Sequence, residues 1–212
     1  MNSDNSTFYF VRFPLGGGGT HLANLISLDA SFGSRIPGLD KELYQTELIK
    51  TYNKSNLTGH LSTQLHIHDH QWIDIVDQLD SKLNSVHTGH ACSFIWGRST
   101  LNSLKNKRYI LLTFKSDKSM EILKKRELAI FNTSSLENSY YAEEIRYLYN
   151  GWIQEDNQIA DDINLEIEIS ELFQDNINDL LSKINKKFNL NIPHNTAKEL
   201  HDEWINKNKG CI

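Results

Sequence analysis

The chain has 212 residues, 39% hydrophobic and 10% aromatic, with a formal charge of −5 and a pI near 6.0. That length supports a single domain with a sizeable core, and the composition is globular outside a polar tail, Met1–Thr7. The acidic balance excludes a general nucleic-acid binder, and no apolar run approaches the roughly 20 residues a bilayer span needs.

Two cysteines, Cys92 and Cys211, form no paired pattern, and the N-terminal stretch lacks a basic secretory segment. A reducing, cytoplasmic location is the expectation.

Phe8–Phe13 is dense in aromatic and β-branched residues and stops at Pro14, which predicts a buried strand. Thr20–Leu28 carries Leu22, Leu25 and Ile26 at helical spacing, with Thr20 as expected N-cap. Ser31–Gly38 is broken by Gly33, Pro37 and Gly38 into a loop. Helical spacing returns over Lys41–Tyr52 and Gln71–Leu83. Ser85–His90 and Arg108–Phe114 are predicted as the second and third strands. Ser116–Ile130 follows as a helix, and Tyr140–Trp152 as another. Leu165–Ile169 alternates as a strand with one wet face or edge. Asn178–Phe188 is an amphipathic helix with Leu180, Leu181, Ile184 and Phe188 inward, and Pro193 precedes a last helix, Thr196–Asn206. Alternating strands and helices imply an α/β fold: a mainly parallel sheet between helical layers, in one domain spanning 1–212.

Residues 13–22 read Phe-Pro-Leu-Gly-Gly-Gly-Gly-Thr-His-Leu, holding four of the 11 glycines. Strand, glycine turn and helix start together make a phosphate cradle, because the turn exposes N–H groups and the helix adds partial positive charge. The alternative is a turn that only lets helix and strand pack closely. The Walker form is excluded because no lysine follows the glycines, and the dinucleotide form Gly-x-Gly-x-x-Gly is not met.

Phe8–Leu22 resembles the opening of P-loop sulfotransferases, whose strand, phosphate loop and helix hold the sulfate donor 3′-phosphoadenosine 5′-phosphosulfate (PAPS). Arg108–Phe114 with Lys115-Ser116-Asp117-Lys118-Ser119 is similar to that family's strand and loop for the donor's 3′-phosphate. Leu165–Phe173 resembles its late strand and turn. The resemblance implies a three-layer α/β/α, P-loop NTPase-like fold and a PAPS or PAP cofactor. It places Gly16, Gly17, Gly18, Gly19 and Thr20 on the 5′-phosphosulfate, with Arg12 and His21 nearby, and Lys115 and Ser119 (or Arg126) on the 3′-phosphate. It also implies a small-molecule or glycan acceptor, with neither nucleic acid nor membrane as partner. The chain is similar, too, to small sulfotransferase-like proteins of marine phages, which would put it in a host cytoplasm. The family's loop lysine falls on Leu15 or Gly16, so a stabiliser of the bridging oxygen is absent.

Six of the nine histidines lie between His60 and His90. His66-Ile67-His68-Asp69-His70 is one residue short of the metallo-β-lactamase signature, and its alternatives are an exposed polar stretch or an acceptor site. His87 and His90 flank Thr88-Gly89 at a strand end; the resemblance makes His90, then His87, the candidate general base, against a histidine simply bonded within a turn. Three functions follow. The first is sulfate transfer with no metal. The second is non-catalytic nucleotide binding, or a virion role, on the same fold. The third is metal-dependent hydrolysis by the His60–His70 cluster.

Overall fold

The computed structural model describes residues 6–14, 16–35, 83–90, 106–131 and 163–212, with parts of 40–50. The helices expected over 140–152 and most of 71–83, and the whole His66–His70 cluster, lie outside the described residues.

Strands β1 (Phe8–Phe13), β2 (Ser85–His90), β3 (Lys107–Thr113) and β4 (Ile163–Glu168) form one sheet in the order β2-β1-β3-β4, every pairing parallel. Between them and after them run α1 (Gly19–Ile26), α2 (Asp117–Phe131), the single turn α3 (Ile169–Leu172), α4 (Asn178–Phe188) and α5 (His194–Asn208). This is an α/β fold compatible with a three-layer arrangement.

β1 is buried along Tyr9–Phe13, which explains its unbroken aromatic and β-branched character: a strand covered on both faces has no polar side to advertise. Tyr9, Val11 and Phe13 share one face; Tyr9 packs on Phe32 and Phe188, and Phe13 meets the start of α1. Phe10 and Arg12 take the other face, where Phe10 stacks between His87 and Tyr109 with ring centroids 5.6 and 5.4 Å away.

β4 carries Glu166 exposed beside Ile167 at 0% exposure, the alternation expected of a half-wet strand. It begins two residues earlier than expected because Asn164 Oδ1 accepts the Tyr109 N–H at 2.7 Å, bridging the register shift at Tyr109/Ile110. Helix α4 matches its predicted bounds and buries Leu180, Leu181 and Ile184. It stops at Asn189, whose φ of 54° is a left-handed cap that asparagine tolerates.

Thr20 does not cap α1. The chain enters the helix through Gly18 in the left-handed region, so the helix begins at Gly19 and the Thr20 hydroxyl comes two residues too late. The other end of α1 is closed by Lys41, whose Nζ donates to the carbonyls of Ser27, Asp29 (3.0 Å) and Phe32 (2.8 Å). A lysine at that end satisfies orphan carbonyls and suits the helix dipole.

Candidate functional site

The chain leaves β1 for β2 on one side of it and returns to β3 on the other. Strand order therefore reverses between β1 and β3, and the crevice beyond their carboxyl ends is where such sheets take ligands. The glycine turn follows β1 and the 114–116 loop follows β3, so both lie at that crevice.

Gly16 and Gly18 both have φ 79°, a conformation that penalises any side chain. Gly17 N–H donates to the Pro14 carbonyl at 2.9 Å and tightens the turn. Gly19 needs its missing Cβ for a different reason: that atom would stand 1.9 Å from Phe13 Cδ1. Close packing of α1 on β1 is thus a definite role of the glycines. Gly18, the N-cap of α1, offers no side chain to the first turn, and residues 16–20 are buried, with Leu172 and Trp204 packed against Gly18.

The C-terminal helix closes over the turn. A Cβ on Gly18 would lie 3.0 Å from Leu172 Cδ2 and from Trp204 Cη2. Trp204 stacks on His21, with centroids 4.0 Å apart and planes at 11°. His201 Nε2 donates to the Gln174 carbonyl at 2.7 Å, which leaves His201 Nδ1 to accept from His21 Nε2–H at 3.1 Å. The pair thus uses one N–H from each ring. Burial, then the neighbouring His201 and Arg126, hold His21 well below the ordinary histidine pKa, and burial lowers His201 as well. Arg126 reaches from α2 to donate through Nε to the Gly16 carbonyl at 2.5 Å and through Nη1 to Asn208 Oδ1, with its guanidinium against Phe173 and Trp204.

Of the other expected residues, Arg12 is 1% exposed and lies on the sheet face opposite Phe13, away from the face that α1 covers. Lys115 sits in an exposed ion pair with Glu166, 2.6 Å apart, a contact worth under about 1 kcal/mol. Ser119 is fully buried; its Oγ accepts from Ser170 N–H at 2.9 Å and lies 3.0 Å from Ser116 Oγ.

The donors after β3 already hold an internal anion. Glu168 accepts from Ser116 N–H (2.8 Å), Ser116 Oγ (3.0 Å) and Thr113 Oγ1 (2.6 Å). Desolvation raises the Glu168 pKa, but these bonds and one from Ser119 outweigh it, and the net shift is downward. Glu168→Gln keeps the shape and loses the charge, so it is expected to lower stability by about 1–2 kcal/mol at pH 7. The loss should vanish as pH falls through the depressed folded pKa, because the wild-type carboxylate is then protonated too. Urea unfolding of both proteins at pH 7 and pH 3 checks this.

His87 is buried, stacks on Phe8 and Phe10, and lies 2.8 Å from Ser85 Oγ through Nε2. Burial first, and the nearby Arg35 second, push its pKa down to about 3. Such a ring is a weak proton acceptor near neutral pH, so this environment suits packing and not general-base chemistry. His90 ends β2 opposite Phe13, and its side chain is outside the described residues.

Two residues at the crevice, Arg35 and Trp204, were not expected there from the sequence. Arg35 joins Thr20 O, Asn24 Oδ1 and Thr88 Oγ1, tying α1 to β2. Trp204 belongs to the helix that covers the turn. Among the described residues, no cluster of three or more His, Cys, Asp or Glu side chains suits a metal, and no helix is long and apolar enough to cross a membrane. No protein-family model, curated protein or solved structure matches the chain.

Proposed function

We propose that this protein binds a phosphate-bearing nucleotide at the Gly16–Thr20 turn of a P-loop-like α/β domain, with the PAPS and PAP class as the ligand. The observation that carries the reading is the position of the turn: two left-handed glycines lead into an uncapped helix start at the sheet's switch point. Lys115 supports a second phosphate contact, since its exposed pair with Glu166 is easily exchanged for a ligand anion. The reading assigns binding, and not transfer, as the function. No lysine stands on the turn to stabilise charge on the bridging oxygen, and the buried His87 is poorly suited as a base.

Sulfate transfer to an acceptor hydroxyl or amine is the second reading, with His90 as general base. It is favoured by the position of His90 at the end of β2, beside the end of β1.

Thermal melts with PAP, AMP and adenosine test binding. PAP is expected to raise the melting temperature and adenosine to leave it unchanged. No shift with any phosphate-bearing nucleotide at millimolar concentration would overturn the proposal. Release of PAP from PAPS across a panel of hydroxyl and amine acceptors would favour transfer, and binding without turnover would favour the first reading.

A further inference from the structure

Helix α5 is fastened to the glycine turn and the start of α1 by three ties. His201 meets His21 across 3.1 Å. Trp204 stacks on His21 and packs against Gly18. Asn208 holds the Arg126 guanidinium, whose Nε donates to the Gly16 carbonyl. The Asn208 amide also donates to the Trp204 carbonyl at 2.7 Å, which fixes it to α5. Its half of the brace on Gly16 therefore leaves whenever α5 leaves.

The first tie is the one that titrates. His201 Nε2–H donates to the Gln174 carbonyl, so the bond between the rings needs one bare nitrogen, at His21 Nε2 or His201 Nδ1. One added proton preserves that bond, and a second sets N–H against N–H. Both rings are 0% exposed, so even the first charge is stripped of water. Arg126, from α2, opposes a charge on His21. On α5, Asp202 favours a charge on His201 and Lys198 opposes it, and these two pair with each other at the surface. Asp175, exposed after α3, favours it as well, but burial outweighs both carboxylates. Helix α1 carries no other charged side chain. An indole face attracts a cation, but Arg126 already lies 5.1 Å from a Trp204 ring centroid. Protons are thus bound more readily once the two rings reach water.

The helix can leave without dismantling the sheet, because it takes no part in the strand ladder. Helix α4 ends before it at the left-handed Asn189, and the Asp29 carboxylate accepts the Asn191 N–H, which anchors the chain just ahead of α5. Units of this kind open separately from a core sheet.

We infer that α5 is an acid-released latch on the glycine turn: protons taken up by the His21–His201 pair detach the helix from α1, and the turn loses the Arg126–Asn208 brace with it, while the parallel sheet stays folded. The turn then has two states, braced and unbraced, and pH sets the balance between them.

Native-state hydrogen exchange of the full chain, followed residue by residue by NMR at pH 7.5, 6 and 5 and corrected for intrinsic rates, tests this. Amides of α5 and of Gly17, which donates within the turn, are expected to share an opening constant larger than that of β1 and β3. That constant should rise about tenfold or more from pH 7.5 to 5, since the opened pair binds protons below about pH 6.5. His201→Gln keeps an acceptor for His21 and a donor for the Gln174 carbonyl, and should reduce the rise. His87, stacked on Phe8 and Phe10, stays buried when α5 opens, so His87→Leu should leave the α5 profile as in wild type. One opening constant shared by α5 and β1 at every pH would overturn the inference. So would an α5 profile that does not change with pH, a Gly17 amide as protected as the sheet, or His87→Leu flattening α5 as much as β1. The wild-type and His87→Leu profiles decide the matter even where His201→Gln does not fold.

Discussion

Gly19→Ala is expected to lower the melting temperature by about 10 °C, equivalent to about 3 kcal/mol for a chain of this size. The new Cβ would stand 1.9 Å from Phe13 Cδ1, 2.2 Å from Cγ and 2.5 Å from Cε1. Those atoms belong to a ring that is 5% exposed and packed in the core, so it cannot swing away as a surface side chain would. The strand or the helix must shift, and either movement opens the interface on which the rest of the domain is built. Gly210→Ala is the control: a Cβ there meets nothing within 4 Å, and a change under about 0.5 kcal/mol is expected. Phe13→Leu should recover part of the loss in the Gly19→Ala background, since the two sites are in direct contact and couple. A Gly19→Ala protein within about 1 kcal/mol of wild type would mean that α1 does not approach β1 this closely.

The second large effect is a loss of stability in mild acid. His21, His87 and His201 are buried and held neutral, with pKa values below the ordinary histidine value, about 3 for His87. In the unfolded chain the same groups take up protons near pH 6.5. Below that pH the unfolded state binds more protons than the folded state, so stability falls as pH falls. Each histidine contributes up to about 1.4 kcal/mol per pH unit, and for His87 the window runs from about 6.5 down to about 3. Stability is fully present above pH 6.5. Denaturant titrations at pH 7.5, 6 and 5 are expected to show a steepening decline, and His87→Leu should make the curve shallower. A flat profile from pH 7.5 to 5 would contradict the burial of these rings.

Much of the fold was legible in the sequence. Phe8–Phe13 announced a central strand because burial on both faces removes any need for polar alternation. Asn178–Phe188 announced a helix because one face is apolar and the other charged. Helix starts were read less well. Thr20 looked like a cap, but the left-handed Gly18 sets the helix start by backbone conformation, which residue preference at one site does not report. The glycine turn was legible as a special backbone, and its neighbours were not. Trp204 and Glu168 reach the crevice from elements far apart in the chain, and their roles come from packing that no local pattern encodes; Arg126, expected on a ligand's 3′-phosphate, instead donates to the Gly16 carbonyl. Ser119 illustrates the limit: it was expected to face a ligand phosphate, and the structure instead places its hydroxyl among Ser116, Glu168 and Ser170.

The most direct test of phosphate binding at the turn is an NMR titration of isotope-labelled protein with PAP, following the backbone amides. Saturable shifts concentrated at Gly16, Gly18, Gly19 and Thr20, absent with adenosine, are the predicted result. Amides of the turn that stay in place while PAP is added to millimolar excess, or shifts that gather elsewhere on the protein, would contradict it.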